Sequence, residues 1–147
     1  MENNEGQEEQ FDDGVDRDWL LQHLVTTANH EKNFSQPITL WVGGGIISGL
    51  LVSGRKYFEE YSKEFASRFH PDDFEKMRDM IIGLGHPYYE KVEKPIVNDV
   101  MFIHLLDATF WSPSGSIPSG AGNGVTWRGR ISQITGYSLG KIVRGEK

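Results

Sequence analysis

The sequence predicts a single α+β domain: a small, strongly bent antiparallel β-barrel with an N-terminal helix and a helical insertion at about 54–95. Three observations carry that expectation. The apolar pattern is helical from Trp19, turns strand-like after Pro37, returns to helical spacing at Gly54 and is strand-like again from Val100. Gly49, Gly129 and Gly140 fall inside strand patterns, where glycine marks the bends or bulges that let short strands close on themselves. The length of 147 residues accommodates one core of ordinary size and not two.

Residues 1–17 are acidic, rich in Gln and Asn and nearly free of aliphatics, so they are read as a disordered tail ahead of one domain over 18–147. Asp18 is placed to cap a helix from Trp19 to His30, along which Leu20, Leu21, Leu24, Val25 and Ala28 recur at helical spacing. Ile38–Val42 and Ile46–Ser53 read as two strands joined by Gly43, Gly44 and Gly45, whose freedom at positive φ suits a tight hairpin. Residues 54–69 carry Phe58, Tyr61, Phe65 and Phe69 along one helical stripe, with Tyr57 beside it, a face that packs on the chain's own sheet or on a partner. Pro71 suits the first turn of another helix, with Asp72 and Asp73 near its positive end, Phe74, Met77 and Ile81 inward, and Gly83 and Gly85 ending it.

Val100–Leu106 is apolar on almost every residue and is expected as a central strand, followed beyond Asp107 by a second, Ala108–Trp111. Ser112–Gly124 shows no period and reads as a flexible loop. Val125–Ile131 alternates, with Val125, Trp127, Gly129 and Ile131 on one face and Thr126, Arg128 and Arg130 on the other. Thr135-Gly136 then turns the chain into a last strand, Tyr137–Val143.

The net charge of −6 comes from 15 Lys and Arg against 21 Asp and Glu, but Met1–Asp18 alone holds eight acids against Arg17. The remainder is nearly neutral, so the acidity belongs to the tail. No cysteine is present, which excludes disulfides, thiolate metal sites and thiol nucleophiles and agrees with a cytoplasmic setting. The longest greasy run, Leu40–Val52, contains four glycines and falls short of the ~20 residues of a membrane span.

Catalytic patterns fail in turn. The glycines of 115–124 are not followed by Lys-Ser/Thr, the cation and metal ligand of a phosphate-binding loop. The five histidines form no HExxH pair, no Gly-x-Ser-x-Gly elbow exists, and Asp72-Asp73 is ordinary first-turn capping chemistry. No catalytic set, metal site or cofactor is expected. The strongest positive feature is Trp127-Arg128-Gly129-Arg130 with Tyr137 across the turn, where two arginines grip phosphate or carboxylate and aromatics stack on bases. The bland alternative puts Trp127 in the core with the arginines solvating the outer face.

Two stretches carry a family resemblance. Val42-Gly43-Gly44-Gly45-Ile46-Ile47-Ser48-Gly49, running on to Tyr57-Phe58, resembles the hairpin and following helix of the gas vesicle accessory protein GvpU family. Phe102-Ile103-His104-Leu105, Trp127-Arg128-Gly129-Arg130-Ile131 and Gly136-Tyr137-Ser138-Leu139-Gly140-Lys141-Ile142 resemble its C-terminal half. The resemblance implies a non-enzymatic accessory or scaffold acting by protein–protein contact, with itself as a homo-oligomer and with vesicle shell or other accessory proteins, in vesicle assembly or clustering. The element order also resembles the Sm/SH3-like small barrel, in which an Arg-Gly pair such as Arg128-Gly129 lines an RNA-binding pore. The matching Asp and Asn motif has no counterpart in Gly54–Glu60, and single-stranded RNA binding through Arg128, Arg130 and Tyr137 stands as the alternative function.

Overall fold

A computed structural model describes residues 16–31, 33–90, 97–118 and 124–142. The acidic segment before Asp16, much of the predicted loop and the predicted strand end at Val143 lie outside the described residues. Helix α1 (Trp19–His30) starts where the Asp18 carboxylate accepts the N–H groups of Leu20 and Leu21, at 2.9 and 3.1 Å. Its Leu21, Val25 and Ala28 are fully buried.

Strands β1 (Gln36–Val42) and β2 (Gly45–Leu51) form the expected hairpin, with Gly43 and Gly44 at φ +57° and +81°, a region that side chains with a Cβ rarely enter. The insertion is a helix pair, α2 (Gly54–Ala66) and α3 (Phe74–Leu84), with Ser53 capping α2 through the Lys56 N–H at 3.0 Å. Helix α2 stops three residues short of Phe69, and Pro71–Asp73 forms a 3-10 turn ahead of α3.

Where the sequence predicts two strands parted at Asp107, the structure has one long strand, β3 (Phe102–Ser112). Asp107 adopts φ +51°, and the pairing shifts register there and opposite, between Ser48 and Leu50. The break in the apolar pattern is thus a bulge within a strand, with Gly49 at the partner's shift. Part of the predicted loop folds back as a short strand, β4 (Gly115–Ile117), against the end of β3. Strand β5 (Val125–Arg130) pairs with the first half of β3. A 3-10 turn at Ile131–Gln133 leads into β6 (Ile134–Leu139), so the last strand begins earlier than predicted, and Gly136 lies inside it opposite Trp41 instead of making the turn.

The six strands form one antiparallel sheet, in the order β4–β3–β2–β1–β6 with β5 beside β4 on β3. Flat, the four intervals from β5 to β6 would span about 19 Å. The 3-10 turn that joins them advances only about 2 Å per residue. The sheet must therefore bend for this turn to join its outer strands, but β5 and β6 do not pair and the barrel expected from the sequence is not formed.

The core lies between α1 and one sheet face, built from Ile38, Leu40, Ile47, Leu51, Ile103, Leu105, Ala108, Ile131 and Ile134. After β6 the chain folds over the other face, where Thr39 and Ser48 are buried. Thr39 donates to the Gly140 carbonyl at 2.8 Å, and Ile142 donates its N–H to Ser48 Oγ at 2.7 Å. None of the described helices is long and apolar enough to cross a membrane.

Candidate functional site

The β3–β5 register decides which side chains meet. Phe102 lies opposite Arg130, Ile103 opposite Gly129, His104 opposite Arg128 and Leu105 opposite Trp127. Because side chains alternate, Phe102, His104, Arg128 and Arg130 share the outer face, while Ile103, Leu105 and Trp127 face the core. Trp127 bends back over Gly129, where a Cβ would lie 2.1 Å from the indole ring. Tyr137, opposite Leu40 on β6, also packs against the core, and burial followed by the Asp18 charge holds its phenol above its ordinary pKa. Of the four predicted binding residues, the fold brings Arg128 and Arg130 together and keeps Trp127 and Tyr137 apart from them.

The outer cluster contains two partners that the sequence reading did not assign to the arginines. Arg128 Nε donates to His104 Nε2 at 3.1 Å, and its guanidinium carbon sits 3.6 Å from the centroid of the Phe102 ring. Arg130 approaches the same ring at 6.0 Å. His104 is fully buried beneath the insertion, with the rings of Tyr57, Tyr88 and Phe58 at 4.9, 5.1 and 6.1 Å. Burial, followed by the Arg128 charge, lowers its pKa to about 3, so the imidazole is neutral at pH 7. With Nε2 accepting from arginine, the ring proton sits on Nδ1, which is buried without a hydrogen-bond partner among the described residues. An unmet donor of this kind costs about 1–3 kcal/mol.

The charges around this cluster are uneven. Arg55 pairs with Glu59, Lys56 and Lys63 with Glu60, Arg68 with Glu64, Arg78 with Glu75 and Asp79, and Lys141 with Asp107. Asp107 also accepts the Gly124 N–H at 2.6 Å, and the Lys141 contact followed by this bond holds its carboxyl below the usual range. Among the described residues no carboxylate lies within ion-pairing distance of Arg128, Arg130 or Lys76. Arg128 leans on a neutral imidazole and an aromatic face, and no carboxylate among the described residues offsets its charge.

A cleft of about 900 Å³ opens on the far side of the insertion, between α1, β2 and α2. Phe34, Leu50, Val52 and Leu106 give it an apolar floor, and Arg55, stacked over Tyr89 at 4.9 Å, forms part of its rim. No sequence signal marks it, since its walls come from segments that only the fold assembles.

The described residues hold no group of three or more His, Asp or Glu suited to a metal ion. The outer cluster is suited to recognising an anion: two guanidinium groups on one strand face, spaced by an aromatic ring. A family model described as gas vesicle protein GvpU-like matches residues 18–142, which is most of the chain. The chain finds no match among curated proteins or solved structures.

Proposed function

The chain belongs to the gas vesicle protein GvpU-like family, and from that premise we propose that it is a non-enzymatic accessory or scaffold protein that works in the cytoplasm by self-association, in vesicle assembly or clustering. The observation that carries this reading is the pair of strand edges left by the open sheet. Strand β5 pairs only with β3, and β6 only with β1, among the described residues. Both edges keep backbone donors and acceptors available, and each displays an apolar side chain, Val125 on β5 and Leu139 on β6.

Pairing β5 of one copy with β6 of the next is a head-to-tail contact, which closes into a ring or extends into a filament according to its rotation. In this reading the curled sheet is a small Sm/SH3-like barrel left open at the seam that copies use to join. Vesicle shell or other accessory proteins are the further partners that the family suggests. Single-stranded RNA binding has less support, since Trp127 and Tyr137, the aromatic side chains that would stack on bases, pack against the core.

Sedimentation velocity and light scattering of the full chain test the reading. Oligomers are expected, and Leu139→Lys, which puts a charge on the β6 edge, should shift them toward monomer. A strict monomer at every concentration and ionic strength would refute self-association.

A further inference from the structure

The two arginines that lack a carboxylate have a matching supply of carboxylates in their own chain. Residues 1–15 contain Glu2, Glu5, Glu8, Glu9, Asp12 and Asp13, no basic residue, and one aromatic, Phe11. We propose that this acidic segment docks in cis on the outer face of β5, with its carboxylates on Arg128 and Arg130 beside Phe102. Most of the other described cations already have acidic partners, so these two are where an added anion gains most. Arg128 and Arg130 also stand two residues apart on one strand face, and an acidic chain laid along that face relieves their mutual repulsion.

The path of the chain favours the intramolecular arrangement. Gln22 in the second turn of α1 donates its side-chain amide to the Val100 carbonyl at 3.1 Å, and the Ile131 N–H donates to the Met101 carbonyl at 2.8 Å. The start of α1 and the Arg130 end of β5 therefore flank the same short stretch, Val100–Phe102. The path from Asp16 along α1 and across to Arg130 is roughly 20 Å by helix and strand spacings. Fifteen extended residues reach about 50 Å. A tether of that length holds the carboxylates at an effective concentration on the order of millimolar, which favours a weak charge-assisted contact within one molecule over the same contact between dilute molecules.

The contact requires no self-association, and it can be tested whether or not the edge-pairing reading survives. The absence of native cysteine allows a single spin label at Glu8→Cys in the full chain. At low ionic strength the label should broaden the amide signals of Phe102 and of Arg128–Arg130. The broadening should fade with added salt, as exposed charge contacts do, and fall several-fold in Arg130→Glu. The Arg130 side chain makes no hydrogen bond among the described residues, and unchanged signals elsewhere in Arg130→Glu will show that the domain is intact.

Mixing unlabelled isotope-enriched chain with spin-labelled chain of natural isotope content separates the two geometries. No broadening in the mixture supports docking in cis. Equal broadening there places the segment on a second copy and overturns the proposal. Broadening spread evenly over the domain, centred on the Arg55 cleft, or indifferent to both salt and Arg130→Glu overturns it as well.

Discussion

The two faces of β3 are buried by different means. On one, Ile103, Leu105 and Ala108 meet α1 and the remaining strands in an all-apolar core. On the other, His104 is equally buried but lies under three aromatic rings, bonded to an arginine and with one ring nitrogen unmatched. The first face gains its stability from non-directional burial, which tolerates no polar atom and asks little of geometry. The second depends on a single hydrogen bond and on keeping an imidazole neutral. A leucine at position 104 would leave no ring nitrogen to satisfy, whereas the histidine supplies the Nε2 that accepts from Arg128.

The comparison is broken most directly at its apolar side. Leu105→Ala should cost about 3 kcal/mol, read as a lower urea midpoint at unchanged slope, because it removes a fully buried side chain and leaves a cavity. A cost below about 1 kcal/mol would mean that this face is not the core.

The polar side should reveal itself through pH. His104 is held neutral down to about pH 3, whereas the unfolded chain takes up that proton near 6.5. Between those values the unfolded state binds more protons, so this contribution to stability is complete above pH 6.5 and declines as pH falls, by up to about 1.4 kcal/mol per unit. Urea titrations at pH 7 and 5 should show the loss, and His104→Leu should flatten it; an equal slope in both proteins would remove the histidine from the account.

A smaller effect sharpens the role of the arginine. Arg128→Ala strands His104 Nε2 without its donor and should cost about 2 kcal/mol. Arg128→Lys should recover little of it, since an ammonium does not match a planar group stacked on Phe102. Gly129→Ala, whose new methyl must displace the Trp127 ring, should cost about 1 kcal/mol, more than Arg130→Ala, and should change the tryptophan emission. Arg130→Ala should change stability by less than about 0.5 kcal/mol.

Much of the fold was legible in the sequence. The Asp18 cap, the hairpin glycines and the helical insertion follow from signals a few residues long. The seams were less so. Asp107 interrupts an apolar run and looks like a strand end, yet the pairing of β3 on both sides carries the strand through it as a bulge. The last turn was expected at Thr135-Gly136 because glycine favours turns, but Ile131–Gln133 makes it, since Ile131 is held in the core and the chain must cross to β1 at once. Arg128 and Arg130 could be singled out as a same-face pair from alternation alone, whereas their partners Phe102 and His104 sit some two dozen residues away.

By itself the sequence determined the order of the main elements, the location of the acidity before the first helix, the family and the alternation of side chains along β5, because periodicity, capping and turn chemistry act over a few residues. The tertiary structure alone decided that His104 meets Arg128, that the insertion covers His104, and that the sheet does not close. Those outcomes depend on the register between strands far apart in the chain, and a shift of one residue would have exchanged the core and the charged face.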